Sequence, residues 1–265
     1  MTVDNRQNWE LRNRREKWSR YLSLLFLLIV AVLFYHGIDV RINYVADAPA
    51  QLTDLFARMF PPDLGILPSL VQPTIDTIHM SILSTLFAVV VSIPVAVLAA
   101  ENLSPNKVTY GLGKFIISAT RSVHDIIWAL IFVLIFGPGI LAGLLGMGLK
   151  SVGFIGKFFA EEIEEIDRET VKAVRATGAN RWMTMIYGIV PQIKAPFVGI
   201  TMYRWDVNVR AATIVGLVGA GGIGVELNAA MGLLYWQDAL TILLIIVALV
   251  IVSEVVSAYF RDKVQ

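Results

Sequence analysis

Arg204, Asp206 and Arg210 interrupt an otherwise apolar stretch, residues 191–218. Ionisable groups in such a stretch are costly in a bilayer unless paired or hydrated, so they face a bundle interior or a wet passage. On a helix, Asp206 and Arg210 are i,i+4 neighbours, a spacing that permits an ion pair. If Asp206 takes one arginine, the other stays beside a pathway, where its forked guanidinium matches the oxygens of an anion. A tight site would trap the anion, so the stop has to be weak.

A second candidate is the stretch GLVGAGGIG, Gly216 to Gly224. Gly219, Gly221 and Gly224 spell G-x-G-x-x-G, and Asp238 follows at about the distance of a ribose-binding acid. A dinucleotide turn works because a buried parallel strand feeds a helix whose N-terminus faces the pyrophosphate, with at least one more strand alongside. No strand–helix alternation is legible in this chain, so the spelling does not imply a nucleotide site. What remains is a glycine-dense break between two apolar stretches. Irregular backbone at membrane depth is tolerated where protein covers it or where it lines a wet cavity. Gly219, Gly221, Gly222 and Gly224 are therefore read as an outer gate; the plainer reading is a tightly packed external loop.

Other chemistry is sparse. Cysteine is absent, which excludes disulfides and thiolate metal sites, and His36, His79 and His124 form no ligand pair. Arg121, His124 and Asp125 read as an interfacial anchor, with His124 and Asp125 on different faces of one helix. The acidic run EEIEE at 161–165 sits in water or meets a basic partner. No P-loop is present, so ATP hydrolysis would fall to another polypeptide. The chain is read as non-catalytic, binding no cofactor or metal, with no nucleic-acid partner expected.

The elements that position these residues follow from composition. Of 265 residues, 56% are hydrophobic and only 16% charged, with a mean hydropathy of +0.67. Typical soluble domains carry roughly 25% charged residues. Six spans are expected: 19–36, 74–100 with Pro94 inside, 115–136, 140–160, 191–218 and 239–260. The first follows a basic segment, 1–20, and outruns the roughly 7–15 apolar residues of a signal peptide. Between the first two spans, Leu52, Leu55, Phe56 and Met59 recur at helical spacing and predict a short amphipathic helix before FPPD. Lysine and arginine concentrate in 1–20, 101–114, 161–194 and 261–265, and 220–238 has none. Both termini are thereby placed in the cytoplasm of a multi-pass inner-membrane protein surrounded by lipid. The chain divides into the basic segment 1–20, a first span with external linker 21–73, a core 74–260 and a tail 261–265.

The inner segment 161–190 reads as helix, break, helix. Asp167 N-caps a helix through about Thr177, with Glu169 in its first turn. Gly178 suits the left-handed position that ends it, and Asn180 caps the next helix, which runs to Pro191. Ala173, Ala176 and Ala179 surround the break with small side chains. A bent, basic, small-faced protrusion fits another protein's cleft.

This segment resembles the EAA loop of ABC importer permeases, E-A-A-x-x-x-G followed by I-x-L-P. Gly178 and Pro191 fall at the family's separation and Ala173 matches the first alanine. Lys172 stands where the family has its glutamate, Val174 for the second alanine, Gly188 for isoleucine and Val190 for leucine. Glu169, one turn earlier, offers a carboxylate in place of the missing one. The wider block is similar to the phosphonate-transport branch: KAVRATGANRWMTMIYGIVPQ, YRWDVNVRAATIVGLVGAGGIGVEL and RSVHDIIWALIFV, covering about 74–260.

The resemblance implies an all-α type I permease of about six transmembrane helices. In it Glu169, Lys172, Ala173, Arg175, Gly178 and Ala179 belong to the ATPase-coupling loop. Arg204, Asp206, Asn208 and Arg210 belong to the pathway. It implies a second copy of the chain, a pair of cytoplasmic ABC ATPases carrying ATP and Mg2+, and an external phosphonate-binding protein. The expected cargo is phosphonate, then phosphite or phosphate; a methionine-type permease is the next alternative. An NAD-dependent membrane oxidoreductase would require nucleotide binding at the glycines. An ion-driven carrier would require inverted repeats, and none is legible.

Overall fold

The computed structural model describes residues 14–37 and 42–264, and every regular element among them is helical. The basic residues Arg6 and Arg12 and the indole of Trp9 lie outside the described residues. Two units are distinguished, residues 1–56 and 57–265.

In the first unit, α1 (Arg14–Gly37) contains the apolar window Trp18–Tyr35, none of which is buried. The helix begins earlier than the apolar run because arginine and lysine are good helix formers. α2 (Ile42–Met59), whose last turn enters the second unit, is the expected amphipathic helix. It continues through Pro49 and is longer than the four-residue pattern suggested.

The second unit opens where Asp63 caps a short 3-10 turn, Leu64–Ile66, by accepting the Gly65 amide at 2.7 Å. α3 (Leu67–Ala99) follows at once, seven residues before the expected start at 74, with Pro68 in its first turn, where no amide is needed. It carries Pro73 as well as Pro94. Next come α4 (Lys107–Ser122), capped by Asn106, and α5 (Asp125–Phe136). The straight span expected over 115–136 is not observed. Val123 and His124 are extended, and α4 and α5 meet at 89°. Hydropathy alone could not see this break, at which Asp125 pairs with a lysine of another helix, as described below.

α6 (Ile140–Glu164) is the hub, packed against α3, α4, α5 and the later span α9 (Val190–Gly216). Close approach explains its glycines. A Cβ on Gly146 would lie 2.6 Å from the Ala129 amide nitrogen of α5, and one on Gly148 would lie 2.6 Å from the Phe87 ring of α3. One apolar cluster joins Val95, Ile117, Ile155 and Phe159. Another joins Met80, Ala129, Met147, Ala212 and Val215. The remaining elements are α7 (Arg168–Ala176), α8 (Arg181–Thr184), α10 (Ile223–Gly232) and α11 (Trp236–Val264).

Among the described residues, four helices are long and apolar enough to cross a membrane: those around 18–35, 64–99, 140–164 and 236–263. The bent pair α4–α5 makes a fifth if taken as one span. The sixth expected span corresponds to α9, which at 27 residues has the length but holds Lys194, Arg204, Asp206 and Arg210. Its charges, not its geometry, set it apart.

Candidate functional site

α9 buries three of the predicted pathway residues, Arg204, Asp206 and Asn208, and leaves Arg210 partly exposed. Asp206 Oδ2 accepts from Arg210 Nη2 at 2.5 Å, the i,i+4 pair expected from spacing, and Ser253 of α11 donates to Oδ1 at 2.8 Å. The carboxylate is buried, whereas the Arg210 side chain is 42% exposed.

Arg204 lies on a different face and is only 4% exposed. Its Nε donates to Ser151 Oγ at 2.8 Å and its guanidinium lies 5.2 Å from the Phe154 ring centre. Nη2 has no hydrogen-bond partner among the described residues. Asn208 is fully buried beside it, 3.1 Å from Ser151 Oγ through Oδ1, and its Nδ2 donates to Thr85 Oγ1 at 2.8 Å. The four residues therefore separate: Arg204 and Asn208 are tied into α3 and α6, and Asp206 and Arg210 are tied to α11. Ser151, Thr85 and Ser253 were not singled out from sequence, because single hydroxyls in apolar runs give no signal until their partners are known.

At the α4–α5 break, Lys150 Nζ of α6 lies 2.6 Å from Asp125 Oδ1 and His124 Nδ1 lies 2.8 Å from the same oxygen. Asp125 is buried. The expectation that His124 and Asp125 occupy different helix faces fails because His124 is the N-cap, outside the helix, with extended backbone. Helical spacing rules do not apply to it. The lysine embedded in α6 could have flagged the need for a carboxylate partner.

The glycine break is closely packed. Gly219, Gly221 and Gly222 have φ of 88°, 91° and 72°, a region that other residues adopt at a cost. Thr77 of α3 accepts the Ile223 amide at 2.8 Å, Gly139 donates to the Gly219 carbonyl at 3.1 Å, and Ala220 is fully buried. Gly224 packs against Gly216 and Thr213. The backbone amides that a nucleotide turn would offer are engaged within the protein at Gly219 and Ile223, and no strand precedes them among the described residues.

The loop after α6 folds by local capping. Asp167 accepts the Glu169 amide at 2.9 Å and the Thr170 hydroxyl at 2.6 Å. The Thr170 hydroxyl, then the Glu169 amide, hold this carboxyl below its ordinary 3.8. Gly178 has φ +86°, and Asn180 Oδ1 accepts the Met183 amide at 2.9 Å, as expected. Lys172 and Glu169 pair at 2.7 Å, both exposed, so the residue in the glutamate position is joined to the nearest carboxylate. Ala173, Arg175 and Gly178 are exposed and Ala179 is half-buried.

The second helix of the loop does not stop at Pro191. α8 widens into a π turn, Met185–Ile189, and α9 starts with the proline in its first turn. Proline is accepted there because first-turn amides lack intrahelical acceptors. Gln192 clamps the loop, accepting the Asp167 amide at 2.8 Å and donating to the Gly188 carbonyl at 2.6 Å. Trp182, Met183, Ile186, Tyr187 and Val190 form an exposed apolar stripe. Its i, i+1, i+4, i+5, i+8 spacing was legible as amphipathic but was passed over for the alanines.

Residues 92–265 match the family described as binding-protein-dependent transport system inner membrane component. The chain is 38% identical over 247 residues to the phosphite transport system permease protein PtxC of Stutzerimonas stutzeri, covering 92% of this chain and 90% of that one. It is 32% identical over 225 residues to the phosphate-import permease protein PhnE of Mycolicibacterium smegmatis, covering 85% of this chain and 42% of that one. Among solved structures, inward-facing MetNI methionine ABC transporter matches with a TM-score of 0.65 at 21% identity, covering 77% of this chain and 99% of the matched chain. That last likeness concerns the fold.

Proposed function

From its membership in the family of binding-protein-dependent transport system inner membrane components, we propose that this chain forms the passage for a phosphorus oxyanion: phosphonate, phosphite or phosphate. The family is one of multi-pass inner-membrane permeases that work with ATPase subunits and a substrate-binding protein. The observation that carries the cargo assignment is the 38% identity to a phosphite permease, sustained over 92% of this chain. In support, the membrane-embedded part of α9 holds more arginine than acid, a balance that suits an anion.

In this reading both termini are cytoplasmic and two copies of the chain face each other. The 161–190 loop inserts into the ATPase, with Lys172, Ala173, Arg175, Gly178 and Ala179 at its tip and Glu169 paired to Lys172. The exposed Trp182 and Tyr187 supply apolar contact area. Gly219, Gly221, Gly222 and Gly224 form the outer gate. ATP and Mg2+ act on the ATPase, and this chain binds neither.

The test is uptake by proteoliposomes holding this chain, its ATPase and its binding protein. Radiolabelled phosphite, methylphosphonate and phosphate are each offered with ATP inside, with methionine as the competitor. ATP-dependent uptake of a phosphorus oxyanion, unaffected by methionine, is expected. Methionine uptake that no phosphorus anion reduces would overturn the cargo. Co-purification of differently tagged copies tests the pairing; recovery of only one tag would overturn it.

A further inference from the structure

α9 is packed by α3, α5, α6, α10 and α11, and one stripe of it stays open. Tyr203, Val207, Arg210, Ile214 and Leu217 recur at alternating spacings of four and three, so they share one helix face. Tyr203, Ile214 and Leu217 are exposed, Val207 is half-buried, and the Arg210 side chain is 42% exposed.

An exposed guanidinium on a spanning helix has two ways to avoid hydrocarbon. It can extend toward the membrane interface, or it can face water. The first is closed to Arg210, because Asp206 holds it from one turn deeper and Ser253, well inside α11, anchors Asp206. The pair neutralises charge but engages a single N–H of a group that carries five. Acyl chains offer no acceptor for the rest. Arg204, by contrast, is sealed between Ser151 and Phe154.

We propose that the stripe Tyr203–Val207–Arg210–Ile214–Leu217 lines the water-filled passage, with Arg210 the group that meets the passing oxyanion and Arg204 part of the packed core. This rests on the importer reading above. Asp206 and Ser253 are positioning residues: they fix the fork of Arg210 and weaken its pull on the anion, so that the stop releases what it catches.

The chain lacks cysteine, so single cysteines can be introduced directly into the assembled importer in membrane vesicles. Val207→Cys and Ile214→Cys are expected to react with charged methanethiosulfonates, and Val90→Cys, exposed on α3, which carries none of the stripe, is not. At Ile214→Cys the anionic sulfonatoethyl reagent should react faster than the cationic trimethylammonium reagent. Arg210→Gln should lower that rate ratio about tenfold, and Arg210→Lys should retain it.

Because Arg210→Gln strands Asp206, the double change Asp206→Asn with Arg210→Gln is measured too, and the same loss is expected. No labelling of the stripe, disulfide formation between copies at 207 or 214 in place of labelling, or a rate ratio indifferent to Arg210 would each overturn the proposal. Phosphite uptake by the cysteine-free parent is followed in parallel. Absent uptake counts against the importer reading, whereas intact uptake without stripe labelling counts against the stripe alone.

Discussion

Thr77 Oγ1 stands against Gly222, so that a Cβ built there would lie 2.5 Å from the hydroxyl, while the same oxygen accepts the Ile223 amide at 2.8 Å. One side chain of α3 thus fixes both the conformation and the position of the glycine break. Gly222→Ala is expected to destabilise the subunit by roughly 1–3 kcal/mol from backbone strain, with steric displacement of α10 in addition. Gly232→Ala, where the added methyl meets nothing within 4 Å, is the control and should be neutral or slightly stabilising. Thermal unfolding in detergent measures both. Equal behaviour of the two variants would remove Thr77 as the constraint.

The 161–190 loop calls for the opposite pattern. Nothing lies within 4 Å of a Cβ placed on Gly178, yet its φ is +86°. Gly178→Val should leave the bundle stable and separate ATP hydrolysis from uptake, since a β-branched residue resists that backbone region. Gly178→Asn, which tolerates it, should retain coupling. Uptake per ATP hydrolysed is the readout, and wild-type stoichiometry in Gly178→Val would take the break out of the mechanism.

Lys150 and Asp125 bridge α6 to the α4–α5 bend. Lys150→Ala leaves a buried carboxylate with only His124 as partner, and a loss of about 3–5 kcal/mol is expected. Asp125→Asn with Lys150→Met removes both charges and should recover most of it. Detergent extraction yield and unfolding temperature would report the recovery, and a double variant no better than the single would argue against the pair as the latch.

Arg204 gives a prediction of unusual sign. Its Nη2 is buried without a partner, so Arg204→Met, which keeps the packing on Phe154 and abolishes the charge, should leave unfolding temperature unchanged or raised. Asp206→Ala should lower it, because Arg210 and Ser253 lose their acceptor. A large fall in Arg204→Met would show that the guanidinium is held by more than Ser151.

The Asp167 cap predicts a pH window. Its carboxyl titrates below 3.8 in the fold, chiefly through the Thr170 hydroxyl. The cap therefore contributes fully above the unfolded value and is lost as pH falls through the lower folded one. Hydrogen exchange over residues 168–171, corrected for intrinsic rates, should show constant protection from pH 5 to 8 and loss below about pH 4. Asp167→Asn should hold its protection throughout. Loss already at pH 6 would assign the cap elsewhere.

What was legible in the sequence was local. The Asp167 and Asn180 caps, the left-handed Gly178 and the Asp206–Arg210 pair all join residues within a turn of one another, where spacing alone sets distance. The bend at Val123–His124 was hidden because the partner that Asp125 meets there, Lys150, lies on another helix. The different surroundings of Arg204 and Arg210 were hidden for the same reason: they depend on Ser151 of α6 and Ser253 of α11. Continuation of the loop helix through Pro191 was open to inference, since a proline that ends one helix serves equally well to begin the next.

The glycines of α6 carry a mechanical consequence. Where its backbone touches α3 and α5, a shift by one residue, about 1.5 Å along the helix, would drive a full side chain into space that admits only hydrogen. The axial register is keyed, so α3, α5 and α6 are expected to move as one block. Compliance is expected elsewhere, in α9 between Pro196 and Gly199, where an added Cβ at Gly199 meets nothing within 4 Å. That point lies between the loop and Arg204, so in the proposed coupling a stroke delivered to the loop would flex α9 there before reaching the charged residues. Spin-label distances across the α3–α6 contact should stay fixed through the ATP cycle, while those spanning residue 199 change.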